Sequence, residues 1–347
     1  MSTPAVSVVM PVYNGARFVG AAIDSVLGQT FRDFELVVVD DGSTDDTPSL
    51  VEAAARADGR VRPVPHPRNK GVVAARNTAV AAASAPLIAV LDSDDLALPN
   101  RLARQVAYLA DHPEVSILGG AVQLIDDRDR LGEIRRYPLQ PGLATWSMLF
   151  FNSVAHSTMM MRRELFAAGY PAGAAEDYAM LAPLSLTARI ANLPDVLARY
   201  RAWPGSFTVQ GWQRQEGHAN EIVQRLVADV IGETIPLSMA ELLRGLSRNR
   251  YPRNPAEIKA AADLIRRLAD AYITRVARGR GDVASIRQDA GIRLWLLAAL
   301  AARRSPGLSF TLGASATKLR PPSLFEFLAK AARQWTASRA RGGAPSS

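Results

Sequence analysis

The chain has 347 residues, 48% of them hydrophobic and 21% charged, with 41 Lys and Arg against 33 Asp and Glu for a formal charge of +8. That length holds a large domain plus an appendage, and mean hydropathy near zero without a low-complexity tract excludes a disordered, collagenous or fibrous chain. With no cysteine, disulfides, thiolate zinc sites, iron–sulfur clusters and cysteine nucleophiles are excluded.

Met1–Ala5 lacks the basic region and long apolar stretch of a signal peptide. The longest purely apolar run, Leu294–Ala302, falls far below the roughly 20 residues of a membrane span, so a cytosolic protein is expected. Val6–Val12 and Leu36–Val39 read as buried strands with a helix, Phe18–Leu27, between them. A helix at Thr47–Ala57, an extended segment at Val61–Val64, a helix at Val72–Ala83 and a strand at Leu87–Leu91 follow. Pro99–Ala110 predicts a helix, Val115–Ile125 a strand, and Gly132–Tyr137 an antiparallel excursion after a turn. Strands separated by helices imply right-handed crossovers and a mainly parallel sheet, with ligands at the carboxyl ends of its strands. From Trp212 onward the pattern is helical, with breaks around Pro236, Pro252–Pro255, Arg278–Asp282 and Ser305–Gly313, and Arg339–Ser347 reads as a frayed tail. The organisation expected is therefore an α/β domain over 1–211, an Arg-rich helical region over 212–338 and a flexible tail over 339–347.

Charge divides along the same line. Residues 1–240 carry net −5 and residues 241–347 net +13. Arg on one face and Leu, Phe and Trp on another, as in Leu264–Arg278 and Leu324–Trp335, suit peripheral contact with anionic lipid; the plainer account is Arg stems covering a helical bundle. A sequence pI of about 10.1 raises nucleic-acid binding, but no recognition motif accompanies it and no nucleic-acid partner is expected.

The polar clusters fall where a parallel sheet binds ligands: Tyr13 and Asn14 after the first strand, Asp40 and Asp41 after the second, and Asp92, Asp94 and Asp95 after Leu91. Ser43, Thr44, Asp45 and Asp46 read as turn and cap residues. Three carboxylates in Asp92-Ser93-Asp94-Asp95 repel one another unless a cation offsets them, which points to Mg²⁺ or Mn²⁺; a solvated loop is the alternative. Glu176-Asp177 opens a helix-like run, either complementing its dipole or supplying a general base. His66, between two prolines, reads as a loop residue, His156 as a candidate pocket residue, and His112 and His218 as surface. Signatures of P-loop, conventional dinucleotide-binding, α/β-hydrolase and zinc-protease chemistry are absent.

Taken in order, Ser7–Asn14, Gln29–Leu36, Asn69-Lys70-Gly71 with Ala75-Arg76-Asn77, the Asp92 cluster and Glu176-Asp177 resemble a family 2 glycosyltransferase over about Val6 to Thr208. The resemblance implies an α/β GT-A fold, a Rossmann-like mainly parallel sheet flanked by helices, here with a C-terminal helical extension. It implies an inverting, metal-dependent enzyme that takes a sugar from a nucleoside-diphosphate sugar, UDP-linked, to a saccharide or lipid-linked acceptor in polysaccharide, lipopolysaccharide or glycolipid assembly. By position, Pro11 and Tyr13 would flank the base, Asp41 would accept a hydrogen bond from it, and Asp92 would lie toward the ribose or sugar. Asp94 would hold Mn²⁺ or Mg²⁺, and Asp177 would be the catalytic base with Glu176 in support. Two departures stand out: Leu181 and Pro183 replace a Trp and an Arg, and Tyr200-Arg201-Ala202-Trp203 replaces Tyr-Arg-x-His. Arg201 is still placed to pair with phosphate, while Trp203 would stack on a sugar or pack. A nucleotide-sugar-binding module without catalysis, and more distantly a sugar nucleotidyltransferase, are the competing readings.

Overall fold

A computed structural model describes residues 3–203, 205, 211–247, 251, 252, 254–302 and 304–319. Thr208, the expected helix Leu324–Trp335 and the expected tail Arg339–Ser347 lie outside the described residues. The chain forms two compact units, one of residues up to Thr145 with Asn152–Ala219, the other of Trp146–Phe151 with the chain from Asn220. The division therefore falls eight residues beyond the expected boundary at 211, and a six-residue segment from the middle of the chain belongs to the helical unit.

The first unit is built on a nine-stranded mixed sheet. Its strands are β1 (Val6–Val12), β2 (Phe34–Asp40), β3 (Val61–Pro65), β4 (Leu87–Val90), β5 (Leu96–Ala97), β6 (Val115–Ile125), β7 (Leu131–Arg135), β8 (Met160–Arg162) and β9 (Arg189–Arg201). The spatial order is β3-β2-β1-β4-β8-β6-β9-β5, with β7 paired to β6. β3, β2, β1 and β4 are mutually parallel, so the carboxyl ends of β2, β1 and β4 lie side by side, whereas β8 is antiparallel to both β4 and β6. β1 and β2 are buried along their whole length, as continuous apolar runs in a doubly covered parallel sheet require.

Helices α1 (Val19–Leu27), α2 (Thr47–Ala57), α3 (Val72–Ala82) and α4 (Arg101–Asp111) connect these strands. α1 buries Val19, Ala22, Ile23 and Val26, the i, i+3, i+4, i+7 stripe of a helix laid on a sheet. In α4 the apolar face carries a buried Arg101, whose Nη2 donates to the Val90 carbonyl at 2.7 Å. Burial draws its guanidinium down to about 10. That bond anchors the end of β4 just before Asp92.

A second buried charge ties three strands together. Ser7 and Glu35 are register partners on β1 and β2, and Ser7 Oγ donates to Glu35 Oε1 at 2.6 Å. Ser84 adds its N–H and hydroxyl, both at 2.7 Å, and Arg62 of β3 pairs with the other oxygen. Burial opposes the charge, but these donors outweigh it and hold the carboxyl at about 2, below the ordinary value of 4.5. A depressed carboxylate stabilises the fold above its unfolded pKa and loses that contribution as pH falls toward the folded one. Glu35→Gln is expected to cost about 1–3 kcal/mol at pH 7, and the gap from the parent chain should close between pH 4.5 and 2 in denaturant titrations.

The second unit contains α8 (Leu237–Leu246), α9 (Pro255–Arg275), α10 (Arg280–Ala301) and α11 (Pro306–Lys318), with the C-terminal part of α7 (Trp212–Ile231). α5 (Pro141–Ser147) ends in this unit's inserted segment, where Trp146, Met148, Leu149 and Phe150 are fully buried. Trp146 Nε1 donates to Asp289 Oδ2 at 2.8 Å, Arg293 Nε donates to the same oxygen at 2.6 Å, and the Arg293 guanidinium lies 3.5 Å from the Phe150 ring centre. The break expected over Ser305–Gly313 is instead the start of α11, because Pro306 occupies a first-turn position that needs no N–H, and Gly313 rests against Trp295. Leu264–Arg278 also differs from the lipid-contact expectation: Leu264, Ile265, Leu268 and Tyr272 of α9 are buried, so that apolar stripe is core. Among the described residues no helix is long and apolar enough to cross a membrane.

Candidate active site

The three adjacent strand ends deliver their polar residues to one cleft of about 520 Å³, lined by Pro11, Tyr13, Asp41, Arg76, Asp92, Asp94, Arg201 and Trp203 among others. The loops after β1 and β2 are laced together. Asn14, at φ 46°, donates its N–H to Ser43 Oγ at 2.8 Å, while its side-chain oxygen accepts from Thr44 N at 2.8 Å. Gly15 N donates to Thr47 Oγ1 and Ala16 N to Asp45 Oδ2. Ser43, Thr44 and Asp45 thus hold the neighbouring loop in addition to forming the turn expected of them, and Asp45 Oδ1 accepts from Thr47 N at the start of α2 at 3.0 Å. Gly42 is required here, since at φ 73° a Cβ would also meet the Arg68 backbone at 2.4 Å.

Tyr13 stands 49% exposed at the rim, with its ring available to a planar ligand. Asp41 borders the cleft but is 2% exposed. Its Oδ1 lies 2.6 Å from His66 Nδ1 and accepts from Lys70 N at 3.0 Å, while Oδ2 accepts from Gly71 N at 2.8 Å. His66 is no simple loop residue: it is buried directly after β3, and its Nε2 lies 3.0 Å from Thr78 Oγ1. It lines neither cavity and reaches the cleft only through Asp41.

The acidic cluster separates three ways. Asp92 Oδ1 accepts from Arg76 Nη2 at 2.9 Å, and its Oδ2 lies near Ser157 Oγ (3.2 Å) and His156 Nδ1 (3.3 Å). Burial opposes its charge, but Arg76 and His156 hold the carboxyl well below the usual range. Asp95 turns into the core, where it accepts the Arg201 N–H at 2.7 Å; burial, then Asp94 and Asp92, push it well up. Asp94 faces the cleft, pushed up to about 6 by burial and the charge of Asp92. Among the described residues no three His, Cys, Asp or Glu side chains gather as a ligand set. The donor set fits a cation held by Asp94 as the single protein carboxylate, because a cation there would offset both influences that raise its pKa.

Arg201, expected to pair with phosphate, is buried at the cleft wall; its Nε donates to the Asp94 carbonyl (2.7 Å) and its Nη1 to the Asp126 carbonyl (2.8 Å) and Asp129 (2.7 Å). It braces the Asp94 loop from behind. Trp203 brings its indole N–H to 3.4 Å from Asp94 Oδ2 and its ring edge to Phe18, 5.5 Å between centroids.

A second cavity, of about 240 Å³, abuts the first and shares Arg76, Asp92 and Tyr200 with it. Asp177 and Glu176 line it from the first turn of α6 (Glu176–Leu184), with Asn152, His156, Arg135 and Tyr137 opposite. Asp177 Oδ2 accepts from Asn152 Nδ2 at 2.8 Å. Glu176 is buried and ion-paired to Arg76, so one guanidinium joins the end of β4 to the helix that carries Asp177. Pro183 is the penultimate residue of α6 and leaves its first turn intact. Ala175 precedes the helix at φ 55°, ψ 41°, a left-handed conformation that costs an alanine about 1 kcal/mol. Ala175→Gly should leave thermal stability equal or higher, and Ala175→Val should lower it by about 1–2 kcal/mol.

Asn152 lines the second cavity while Tyr170 and His66 hold the lining residues His156 and Asp41, roles not expected of them; Arg76, expected only as part of Ala75-Arg76-Asn77, lines both cavities. Tyr170 meets His156 Nε2 through its hydroxyl at 3.0 Å, and burial first of all drives its ionisation far above the ordinary range. Arg76 had a visible signal, a lone cation in the Ala- and Val-rich α3.

The cleft at the carboxyl ends of the parallel strands, with its aromatic rim and Asp94 facing in beside an acid-bearing pocket, lies on a GT-A α/β fold. Residues 7–169 match the sequence profile described as Glycosyl transferase family 2. The chain is 30% identical over 213 residues to an uncharacterized glycosyltransferase of Haemophilus influenzae, which covers 57% of this chain and 65% of the relative. It is 33% identical over 161 residues (46% of this chain, 61% of the relative) to the UDP-Glc:alpha-D-GlcNAc-diphosphoundecaprenol beta-1,3-glucosyltransferase WfgD of Escherichia coli. The chain thus spans under two thirds of either relative's length. The crystal structure of S. aureus TarS 1-349 in complex with UDP-GlcNAc shares the fold at a TM-score of 0.55 and 19% identity, over 90% of this chain and 91% of that one.

Proposed function

We propose that the protein transfers a sugar from a nucleoside-diphosphate sugar, UDP-linked, to an acceptor hydroxyl with inversion at the sugar carbon. One observation carries this reading: two cavities, one rimmed by Tyr13 and holding Asp94, the other holding Asp177, meet at Arg76, Asp92 and Tyr200. The WfgD relative is named for a UDP-Glc donor and a diphosphoundecaprenol-linked acceptor, which supports a UDP donor and a lipid-linked saccharide acceptor here.

Donor base and ribose would lie against Pro11, Tyr13 and the Asp41 wall, the diphosphate near Asp94 and the sugar beside Asp92. Mn²⁺ or Mg²⁺ held by Asp94 would offset the charge that builds on the departing diphosphate. Asp177 takes the proton of the acceptor hydroxyl as its oxygen bonds to the sugar carbon and the carbon–oxygen bond to phosphate breaks. Asn152 keeps one carboxylate oxygen of Asp177 oriented for that transfer.

Thermal denaturation with UDP, GDP and UDP-sugars, each with and without Mn²⁺, tests the donor half. Ligand at 100 times its Kd should add about 2.7 kcal/mol, and Asp94→Asn should erase the Mn²⁺-dependent part alone. If no nucleotide moves the transition in either condition, the proposal is wrong.

A further inference from the structure

The helical unit carries a groove that shares no lining residue with the two cavities of the candidate site. The groove, of about 510 Å³, lies at the start of α10 and the end of α11. Its floor is apolar, from Val283, Ala284 and Leu319, and its rim is cationic, from Arg280, Arg287 and Lys318. All three cations are exposed, none has an ion-pair partner among the described residues, and no acidic residue lines the groove. On α11, Phe310, Ala314 and Lys318 follow one another at i, i+4 and i+8, which puts them in one row, and all three are exposed. Phe310 is 80% exposed, the most of any large apolar residue described. α11 contains no acidic residue.

Those features narrow the occupant. Residues 320–347 follow the groove directly in sequence, but they hold five Lys and Arg against one Glu, so their charge repels the rim. A purely hydrophilic polyanion would satisfy the cations and leave the apolar floor and Phe310 without a role. An anionic phospholipid surface satisfies both, with headgroup phosphates on the cations and Phe310 in the acyl boundary. We propose that this face of α10 and α11 docks the protein on an anionic bilayer.

Co-sedimentation of the full chain with vesicles of phosphatidylglycerol and phosphatidylcholine, against phosphatidylcholine alone, tests it. Binding should require the anionic lipid and weaken from 50 to 300 mM salt, which shortens the Debye length from about 14 to about 6 Å. The triple variant Arg280→Gln, Arg287→Gln, Lys318→Gln should bind about 100-fold more weakly, each cation being worth about fivefold. Phe310→Ser should weaken binding without altering its salt dependence. The exposed positions leave folding undisturbed, which circular dichroism of each variant verifies. Unchanged binding by the triple variant, equal binding to phosphatidylcholine, no binding at all, or full displacement by millimolar inorganic phosphate would each overturn the proposal, the last marking a small-anion pocket instead.

Discussion

Arg76→Met is expected to destabilise the first unit by about 3–5 kcal/mol and to abolish sugar transfer together with the fold around the site. The guanidinium is buried between Asp92 and Glu176, and burial weighs against its charge while those two carboxylates hold its proton far above the ordinary range. Removing it leaves two carboxylates facing each other with little water to screen them. Much of the loss is therefore a penalty on the partners, so Arg76→Met with Glu176→Gln should recover part of it. Arg76→Lys should fall between, because an ammonium cannot fork to two carboxylates as a planar guanidinium does. Urea denaturation of the three variants checks the order; a single variant within 1 kcal/mol of the parent chain would show that the bridge contributes little.

Asp177→Asn is expected to behave in the opposite way, keeping the fold and the nucleotide-induced thermal shift while lowering turnover by about 10²–10⁴. The amide oxygen can replace one of the two acceptors, toward Asn152 Nδ2 or toward the Tyr178 N–H, so the first turn of α6 loses only one side-chain bond. What it cannot do is take a proton. Turnover of UDP-sugar to UDP separates the two effects: a loss in kcat with KM for the donor unchanged fits a base in the neighbouring cavity. Turnover equal to that of the parent chain would leave the catalytically silent module standing.

Elements whose pattern nothing interrupts were legible in the sequence: β1 and α2 have their expected ends, and β6 spans Val115–Ile125 as predicted. β9 was not. Its run Arg189–Arg201 contains Pro194, which argues against a strand, and the structure accommodates it by a shift in register, Leu193 opposite Gly120 but Val196 opposite Ala121. β8 spans only three residues, too few to show a period. At the site, the residues at strand ends could be read from position alone, including the acidic cluster at Asp92. Their separate fates could not, because what parts Asp92, Asp94 and Asp95 is supplied from distant segments, by Arg76, Trp203 and Arg201. The same holds for Asn152, a polar residue in a loop until α6 brings Asp177 to it.

The six residues Trp146–Phe151 bear on how such a protein can be inherited. Because their aromatic rings and indole N–H find their partners among helices encoded more than a hundred residues later, no single recombination point exchanges the C-terminal helices as a cassette. A chimaera joined near residue 220 would inherit Trp146 and Phe150 without Tyr272, Asp289 and Arg293, and would present an orphaned aromatic pair to solvent. Lineages that swap these helices must change the inserted hexapeptide with them.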